Sequence, residues 1–238
     1  MAILLTDATL ATMADGYGLI QGGAAAMDET GILWAGPSAD LPEVFTSLPA
    51  YSAEGRLVTP ALIDCHSHIV FAGDRAGEFE MRLNGASYEE VARAGGGILS
   101  TVKATRAASE ADLLAAAMSR ADQIIAGGAA TIEVKSGYGL TLQDELKMLR
   151  VARQIARQRP VQIRTTLLAA HAIPPEYKDR ADAYIDEVAI PALHDGLTEG
   201  LIDAVDAFCE GIAFSPAQVE RLFAAAKTHG VPVKLHAE

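Results

Sequence analysis

The sequence has few cysteines and no long hydrophobic run. Its 238 residues include two cysteines, and Cys65 and Cys209 lie far apart in apolar surroundings. We therefore predict buried, reduced thiols and no disulfide framework. No apolar stretch approaches the ~20 residues that a membrane span requires. The N-terminal segment lacks the basic region of a secretory signal and contains Asp7. These absences predict a cytoplasmic protein with no membrane partner.

Basic residues are also scarce. Lys and Arg total 19 against 31 Asp and Glu, which gives a formal net charge of −12. A nucleic-acid backbone would be repelled, and no basic stripe in the sequence offsets that repulsion, so nucleic acid is not expected as a partner. Half of the residues are hydrophobic, which is enough for one sizeable core and a small second domain.

The pattern of the chain changes near residue 58. Residues 1–58 contain short β-like runs separated by turn clusters, and a hairpin is predicted at Asp28–Gly31. This segment is too short to close a sandwich alone, so we predict that it is part of a small β-sandwich domain. From 59 to 238, apolar strands alternate with amphipathic helices, which is typical of a parallel sheet covered by helices.

The second segment predicts part of a barrel. Polar residues follow four or five of its strands, which favours a closed (β/α)8 ring over an open doubly wound sheet with one ligand crevice. Only about five of the eight βα units are present, so we expect an α/β fold of an incomplete TIM-like barrel whose C-terminal units are missing. Three helices are predicted: one after the N-cap Ser109, one that runs from Thr141 to about Arg157, and one after the N-cap Ser215. The strand candidates are 57–65, 130–135, 161–169, 202–209 and 231–237.

The stretch LIDCHSHIVFAG (62–73) carries ligand-capable side chains at alternate positions of an apolar run. His66 and His68 share a face of the predicted strand, with Asp64 one step before them. Spacing alone leaves open whether the two imidazoles bind a metal or are a coincidental pair. His171 and His236 also end strands, and four strand-end histidines favour a shared metal-centred site. Three neutral imidazoles with an open position suit zinc or iron.

Other polar residues near the strand ends have two interpretations each. Glu133 and Lys135 form either an inward-facing ion pair or part of the reacting site, and a carbamate on Lys135 would create a two-metal site. Tyr138 either reaches into a pocket or caps a loop. Arg75 either holds a substrate carboxylate through a bidentate fork or forms a surface ion pair with a neighbouring acid. The glycines at 95–97 lack the Lys-Ser/Thr of a P-loop, so no nucleotide site is predicted.

Together these motifs resemble the amidohydrolase superfamily and, within it, the imidazolonepropionase family. The superfamily signal is LVTPALIDCHSH, a strand that ends in Asp-x-His-x-His after a small β segment. The more specific signals cover most of the chain. They are FAGDRAGEFEMRLNGASYEEVARAGGGILSTVKATR, IEVKSGYGL, AVDAFCEGIAFS and VKLHAE.

The resemblance implies a hydrolase that opens the imidazolone ring of 4-imidazolone-5-propanoate, giving N-formimidoyl-L-glutamate in histidine degradation by means of a metal-activated water. It implies one zinc or iron ion per subunit, held by His66, His68 and His236, and a homodimer. It further implies that Arg75, Tyr138 and His171 contact the substrate. Arg75 would hold the propanoate and His171 would polarise the carbonyl, with His171 and His236 acting in catalysis. Asp64 would orient a metal-bound histidine.

Two alternatives remain beside this expectation. One is another cyclic amidohydrolase, such as a hydantoinase-like two-metal enzyme that uses a modified Lys135. The other is a catalytically silent fragment, because the family also needs an Asp from its last barrel strands and a polar residue three positions after His236. That position would be 239, one past Glu238.

Overall fold

The structure, a computed structural model, describes residues 1–85 and 97–237. Residues 94–96 of the glycine-rich segment considered above therefore lie outside the described part. The chain divides into two compact units, Met1–Ala61 and Leu62–Glu238. Within the described ranges, no helix combines the length and the apolar character needed to cross a membrane.

The first unit is a single mixed sheet. Its strands lie in the order β3-β2-β1-β4, and β5 pairs with β1. The predicted hairpin joins β2 to β3, and Asp28 stabilises its turn by accepting hydrogen bonds from the Thr30 backbone and hydroxyl at 2.8 and 2.6 Å. The strand bounds are Ile3–Ala11 (β1), Leu19–Asp28 (β2), Gly31–Pro37 (β3), Ala50–Ser52 (β4) and Leu57–Val58 (β5).

The second unit contains five parallel strands in the order β10-β9-β8-β7-β6 within its described residues. Neighbours in sequence are neighbours in the sheet, as in an arc of a (β/α) barrel. The predicted incomplete barrel is therefore confirmed. The strand bounds are Leu62–Ser67 (β6), Ala129–Lys135 (β7), Gln162–Ala170 (β8), Ala204–Cys209 (β9) and His236–Ala237 (β10).

Helices connect these strands, and the two predicted N-caps, Ser109 and Ser215, are confirmed; Thr141, where the third helix was predicted to begin, is its N-cap. Ser109 and Thr141 each accept a hydrogen bond from the backbone N–H three residues later, and Ser215 forms a full capping box with Gln218. A short π-helical turn lies between α5 and α6 at Ile185–Ala189. The helices are Ala76–Leu83 (α1), Ile98–Ala107 (α2), Glu110–Ala126 (α3), Leu142–Gln158 (α4), Ala181–Tyr184 (α5), Ile190–Thr198 (α6) and Pro216–Thr228 (α7).

Three sequence predictions require correction. The run 57–65 is divided, because Leu57–Val58 pairs with β1 of the first unit and the barrel strand begins only at Leu62. In the run 231–237 only the last two residues form a strand, and Val233 makes an isolated bridge to Val205. Cys65 is exposed instead of buried, because within the described ranges β6 pairs with β7 alone, while Cys209 is half-buried; both are free thiols.

Apolar side chains from the strands and helices of the second unit form two packed clusters. One is centred on β8, β9 and α7 and includes Leu149, Leu167 and Leu222. The other packs β7 against α3 and α4 and includes Leu113 and Ile132. The described helices therefore pack against β7, β8 and β9, the three central strands of the sheet.

The capping box of α7 can be tested by mutation. Ser215→Ala removes the side chain that satisfies a first-turn N–H, so we expect the free energy of unfolding to fall by about 1 kcal/mol. Ser119→Ala is the matched control, because Ser119 is exposed within α3 and Ala favours a helix interior. In urea unfolding, the free energy of unfolding should fall for Ser215→Ala and not for Ser119→Ala. Equal free energies of unfolding for the two variants would contradict the role of Ser215 as a cap.

Candidate active site

The carboxyl ends of the barrel strands bring five of the predicted site residues together. His66 belongs to β6 and His68 follows it, Tyr138 and His171 follow β7 and β8, and His236 begins β10. Their side chains form one contiguous group, which we call the ring cluster. The ring centroids are 5.6 Å apart for His66–His68, 4.7 Å for His66–His236, 5.3 Å for His68–His171, 5.2 Å for His68–Tyr138 and 5.6 Å for Tyr138–His171.

A cavity of about 550 Å³ opens beside the ring cluster. The four histidines of the cluster form part of its lining, and the other lining residues are apolar. Such a site suits a small molecule with one polar, reactive region and a less polar body. The apolar lining consists of Ile98, Leu99, Leu168, Ala172, Ile173, Phe208, Ile212 and Ala213.

Buried charges join the strands beneath the cluster. The Lys135 ammonium, only 2% exposed, donates to Glu133 at 3.0 Å and to Asp206 at 2.7 Å. Glu133 also accepts from Lys234 at 2.7 Å and from the Thr166 hydroxyl. Burial opposes ionisation of Glu133, but hydrogen bonds from Lys234, Thr166 and Lys135 together hold its pKa below the usual value. Of the two interpretations of Glu133 and Lys135, the structure shows the inward-facing ion pair.

Asp206 is a site residue that the sequence analysis missed. Its carboxylate contacts Lys135 and also lies 3.0 Å from Nδ1 of His236. A carboxylate only accepts, so this contact places the hydrogen of a neutral His236 on Nδ1 and leaves Nε2 with its lone pair. Asp206 is the one acid within the apolar strand AVDAFC. An isolated charge in such a strand was the sequence feature that could have indicated a site residue.

Burial and nearby charges lower the pKa values of three of these histidines, His66, His68 and His171. Burial is the main cause of a lowered pKa at His66, followed by the positive charge of Lys135 and by His236. Burial, with His171 and His66 nearby, lowers the pKa of His68 to about 3. Burial also lowers the pKa of His171. Neutral imidazole is the form that binds a metal ion.

Several ring nitrogens have the arrangement expected of metal ligands. Nδ1 of His68 is buried with no hydrogen-bond partner in the described structure, and Nε2 of His236 faces Nδ1 of His66 at 3.2 Å. Among the described residues, no three His, Cys, Asp or Glu side chains are already arranged as a coordination sphere. The donor set nevertheless fits a transition-metal ion, because three imidazoles lie side by side and one of them is oriented by a carboxylate.

Arg75 forms an ion pair with Glu78, three residues later. Its guanidinium donates to Oε2 of Glu78 from Nε at 2.8 Å and from the terminal nitrogen at 2.5 Å. That hydrogen bond from Arg75 is the main reason that the pKa of Glu78 falls to about 2, with further donors at Gly97 and Ser100. The structure thus shows the ion pair with Glu78, and the contact of Arg75 with a substrate carboxylate remains a prediction.

Asp64 holds the end of its own strand. Its carboxylate accepts from the backbone N–H of His66 at 3.1 Å and from the Ser67 hydroxyl at 2.7 Å. It thus fixes the main chain between the two histidines, and these two bonds involve no imidazole. A role for Asp64 in orienting a metal-bound histidine remains a prediction.

The lowered pKa of His68 predicts a pH dependence of stability. The unfolded chain binds a proton near pH 6.5, and the folded chain does so only near pH 3. Stability from this group is therefore complete above pH 6.5 and is lost as the pH falls towards 3. Between these two pKa values, each unit of falling pH lowers the free energy of unfolding by about 1.4 kcal/mol.

Unfolding free energies of the metal-free protein at pH 7 and pH 5 measure this contribution. We expect His68→Gln to reduce the loss between these two pH values by about 2 kcal/mol. The exposed His229, changed to Gln, is the matched control and should leave the loss unchanged. An equal loss in wild type and His68→Gln would show that His68 is not a buried neutral imidazole.

Solved structures that resemble the chain share its fold. A variant of atrazine chlorohydrolase from Arthrobacter aurescens, complexed with zinc and atraton, matches with a TM-score of 0.62 and 15% identity over 99% of this chain and 53% of its own. The 5-methylcytosine deaminase from Klebsiella pneumoniae matches with a TM-score of 0.60 and 16% identity over 99% of this chain and 51% of its own. At these identities the likeness concerns the fold alone.

Curated relatives are far more similar in sequence. The imidazolonepropionase of Roseobacter denitrificans is 62% identical over 99% of this chain, and that of Ruegeria pomeroyi is 60% identical over 99%. The chain spans 60% and 59% of their lengths, respectively. No protein-family model matches the chain. The resemblance drawn from the motifs is therefore confirmed: over 99% of its length the chain is about 60% identical to curated imidazolonepropionases, and it spans about 60% of their length.

Proposed function

We propose that the natural protein in which these residues occur hydrolyses 4-imidazolone-5-propanoate to N-formimidoyl-L-glutamate. The observation that carries this proposal is the ring cluster at the strand ends, in a chain about 60% identical to imidazolonepropionases. Water adds to the ring carbonyl, the ring C–N bond breaks, and the released nitrogen takes up a proton. Because the chain spans about 60% of its relatives' length, the proposal concerns the natural protein and not residues 1–238 in isolation.

His66, His68 and His236 would hold one zinc or iron ion. When bound, such an ion lowers the pKa of water and polarises a carbonyl. Burial disfavours protonation of His66 and His68, and Asp206 holds the ring of His236 through its Nδ1. The apolar part of the cavity wall would limit the access of bulk water to the ring.

Arg75, Tyr138 and His171 would contact the substrate. Tyr138 and His171 lie in the ring cluster, next to His68. Arg75 would bind the propanoate carboxylate, and for this its guanidinium must share or leave Glu78. The homodimer and the cytoplasmic location remain predictions.

The buried lysine disfavours the two-metal alternative. A carbamate on Lys135 would carry negative charge to a position 3.0 Å from Glu133 and 2.7 Å from Asp206. Two buried carboxylates stabilise the ammonium form and repel an anion. We therefore expect one ion per subunit, and a count of two ions with a modified Lys135 would favour the hydantoinase-like alternative.

Metal content and ring opening test the proposal together. The purified natural protein should contain about one zinc or iron ion per subunit and should abolish the ultraviolet absorbance of imidazolonepropanoate. Chelation should stop the reaction, and zinc or iron should restore it. His236→Asn should lower kcat/KM by about 100-fold or more. Loss of a residue that only orients a metal ligand lowers activity by about 10- to 100-fold, and loss of the ligand itself should cost at least as much.

His229→Asn is the matched control, because His229 is an exposed histidine at the end of α7. It should keep both the metal and the activity. A metal-free preparation with full activity would overturn the proposal, as would a metal-loaded natural protein that leaves the imidazolone ring intact.

A further inference from the structure

A fully buried carboxylate lies beneath the turn that follows β7. Oε1 of Glu145 accepts hydrogen bonds from the backbone N–H groups of Gly139 and Leu140 at 2.8 and 2.7 Å. Oε2 accepts from the N–H of Gly137 at 2.9 Å, and the Ser136 side chain also bonds to the carboxylate. Burial raises the pKa of Glu145. Because every one of the three backbone groups is a donor, the turn requires a side chain that only accepts.

This turn presses closely against His171. Gly137 has φ +105°, and a Cβ added there would lie 2.7 Å from Nδ1 of His171. Leu140 has φ +52°, a conformation that a non-glycine residue keeps only where its surroundings enforce it. Arg106 binds the carbonyls of Gly139 and Leu140 at 2.6 and 3.1 Å. The turn is therefore held from both sides, by Glu145 at its N–H groups and by Arg106 at its carbonyls.

The turn determines which nitrogen of His171 carries the hydrogen. Nδ1 lies 2.9 Å from the carbonyl oxygen of Gly137, and a carbonyl can only accept. Nδ1 is therefore the protonated nitrogen, and Nε2 of the neutral ring is an acceptor. A neutral ring with its hydrogen on Nδ1 has no hydrogen on Nε2 with which to polarise a carbonyl.

We propose that Glu145 is a positioning residue for His171. It holds the turn, and the Gly137 carbonyl of that turn holds His171 in the tautomer with hydrogen on Nδ1. Nε2 of His171 then accepts a hydrogen bond from a substrate N–H. A cyclic amide offers such an N–H beside its carbonyl. The proposal rests on the proposed function, and it gives His171 an acceptor role in place of the carbonyl-polarising role that the resemblance implies.

Nitrogen NMR of the zinc-loaded natural protein, labelled with 15N-histidine, tests the proposal. The ring signals of His171 are assigned by their loss in His171→Gln. In the wild type, Nδ1 should show the shift of a protonated nitrogen and Nε2 that of an unprotonated one. In Glu145→Gln the side-chain NH2 group would face a backbone N–H, and neither group can accept a hydrogen bond. The turn should therefore shift away from His171, and the His171 signals should move towards those of the other tautomer. We expect kcat/KM to fall by about tenfold or more, mostly in kcat, with unchanged zinc content.

Asp203→Asn is the matched control. Asp203 also binds a backbone N–H, that of Thr165 at 2.8 Å, and the same acid-to-amide change there should leave the His171 signals and kcat/KM within about twofold of wild type. If Glu145→Gln does not fold, Gly137→Ala displaces the same contact while retaining Glu145, and it should move the same signals.

Either folded variant that keeps the wild-type His171 signals and wild-type kcat/KM would overturn the proposal. A wild-type spectrum with the hydrogen on Nε2 would overturn it whatever the variants do. If the wild type leaves the imidazolone intact while the His171 signals respond to Glu145→Gln, the proposed function fails and the positioning by Glu145 stands. If the wild type opens the ring while the His171 signals do not respond, the positioning by Glu145 fails and the proposed function stands.

Discussion

The arrangement of the strand ends depends on one buried charge, the Lys135 ammonium. A charge that is removed from water must be compensated by partners at short range, and Lys135 finds Glu133 on its own strand and Asp206 on β9. Glu133 is shared with Lys234, just before β10, and Asp206 with His236. The strands β7, β9 and β10 must therefore keep their relative positions for these charges to remain satisfied. The same contacts place His236 beside His66.

This charge arrangement also sets the state of the histidines. The positive charge of Lys135 acts with burial to lower the pKa values of His66 and His68. The protein thereby presents imidazole lone pairs near neutral pH instead of cations that would repel a metal ion. Asp206 makes the complementary contribution, because it fixes the hydrogen of His236 on the nitrogen that faces away from His66. Burial and charge together thus prepare a donor set before any ligand arrives.

Much of the fold and of the site was predictable from the sequence. Strand alternation predicts that His66 and His68 share a face, and the N-caps Ser109 and Ser215 predict where two helices begin, because both depend on local geometry. The exposure of Cys65 was not predictable, because it depends on β6 being paired on one side only among the described residues. The bond between Arg75 and Glu78, three residues apart, was one of the ion pairs that the sequence offered.

Long-range pairs were beyond a sequence argument. Asp206 lies 71 residues from Lys135 and 30 from His236, so only the folded sheet shows that these side chains meet. Glu145 belongs to α4, and the amphipathic pattern of that helix predicts the burial of its apolar residues but not of this acid. The hydrogen bond between Glu145 and the Gly137 N–H is known only from the folded structure. Local patterns predicted the elements and the histidines, while the residues that hold those histidines in place required the structure.

The measurement that tests the role of Lys135 most directly is the unfolding free energy of the metal-free Lys135→Met protein. Removal of the ammonium leaves two buried carboxylates without their shared partner, so we predict a loss of about 3–5 kcal/mol relative to wild type. Lys178→Met, at an exposed lysine, should change the unfolding free energy by less than about 0.5 kcal/mol. A Lys135→Met protein as stable as the Lys178→Met control would contradict the claim that this buried charge organises the strand ends.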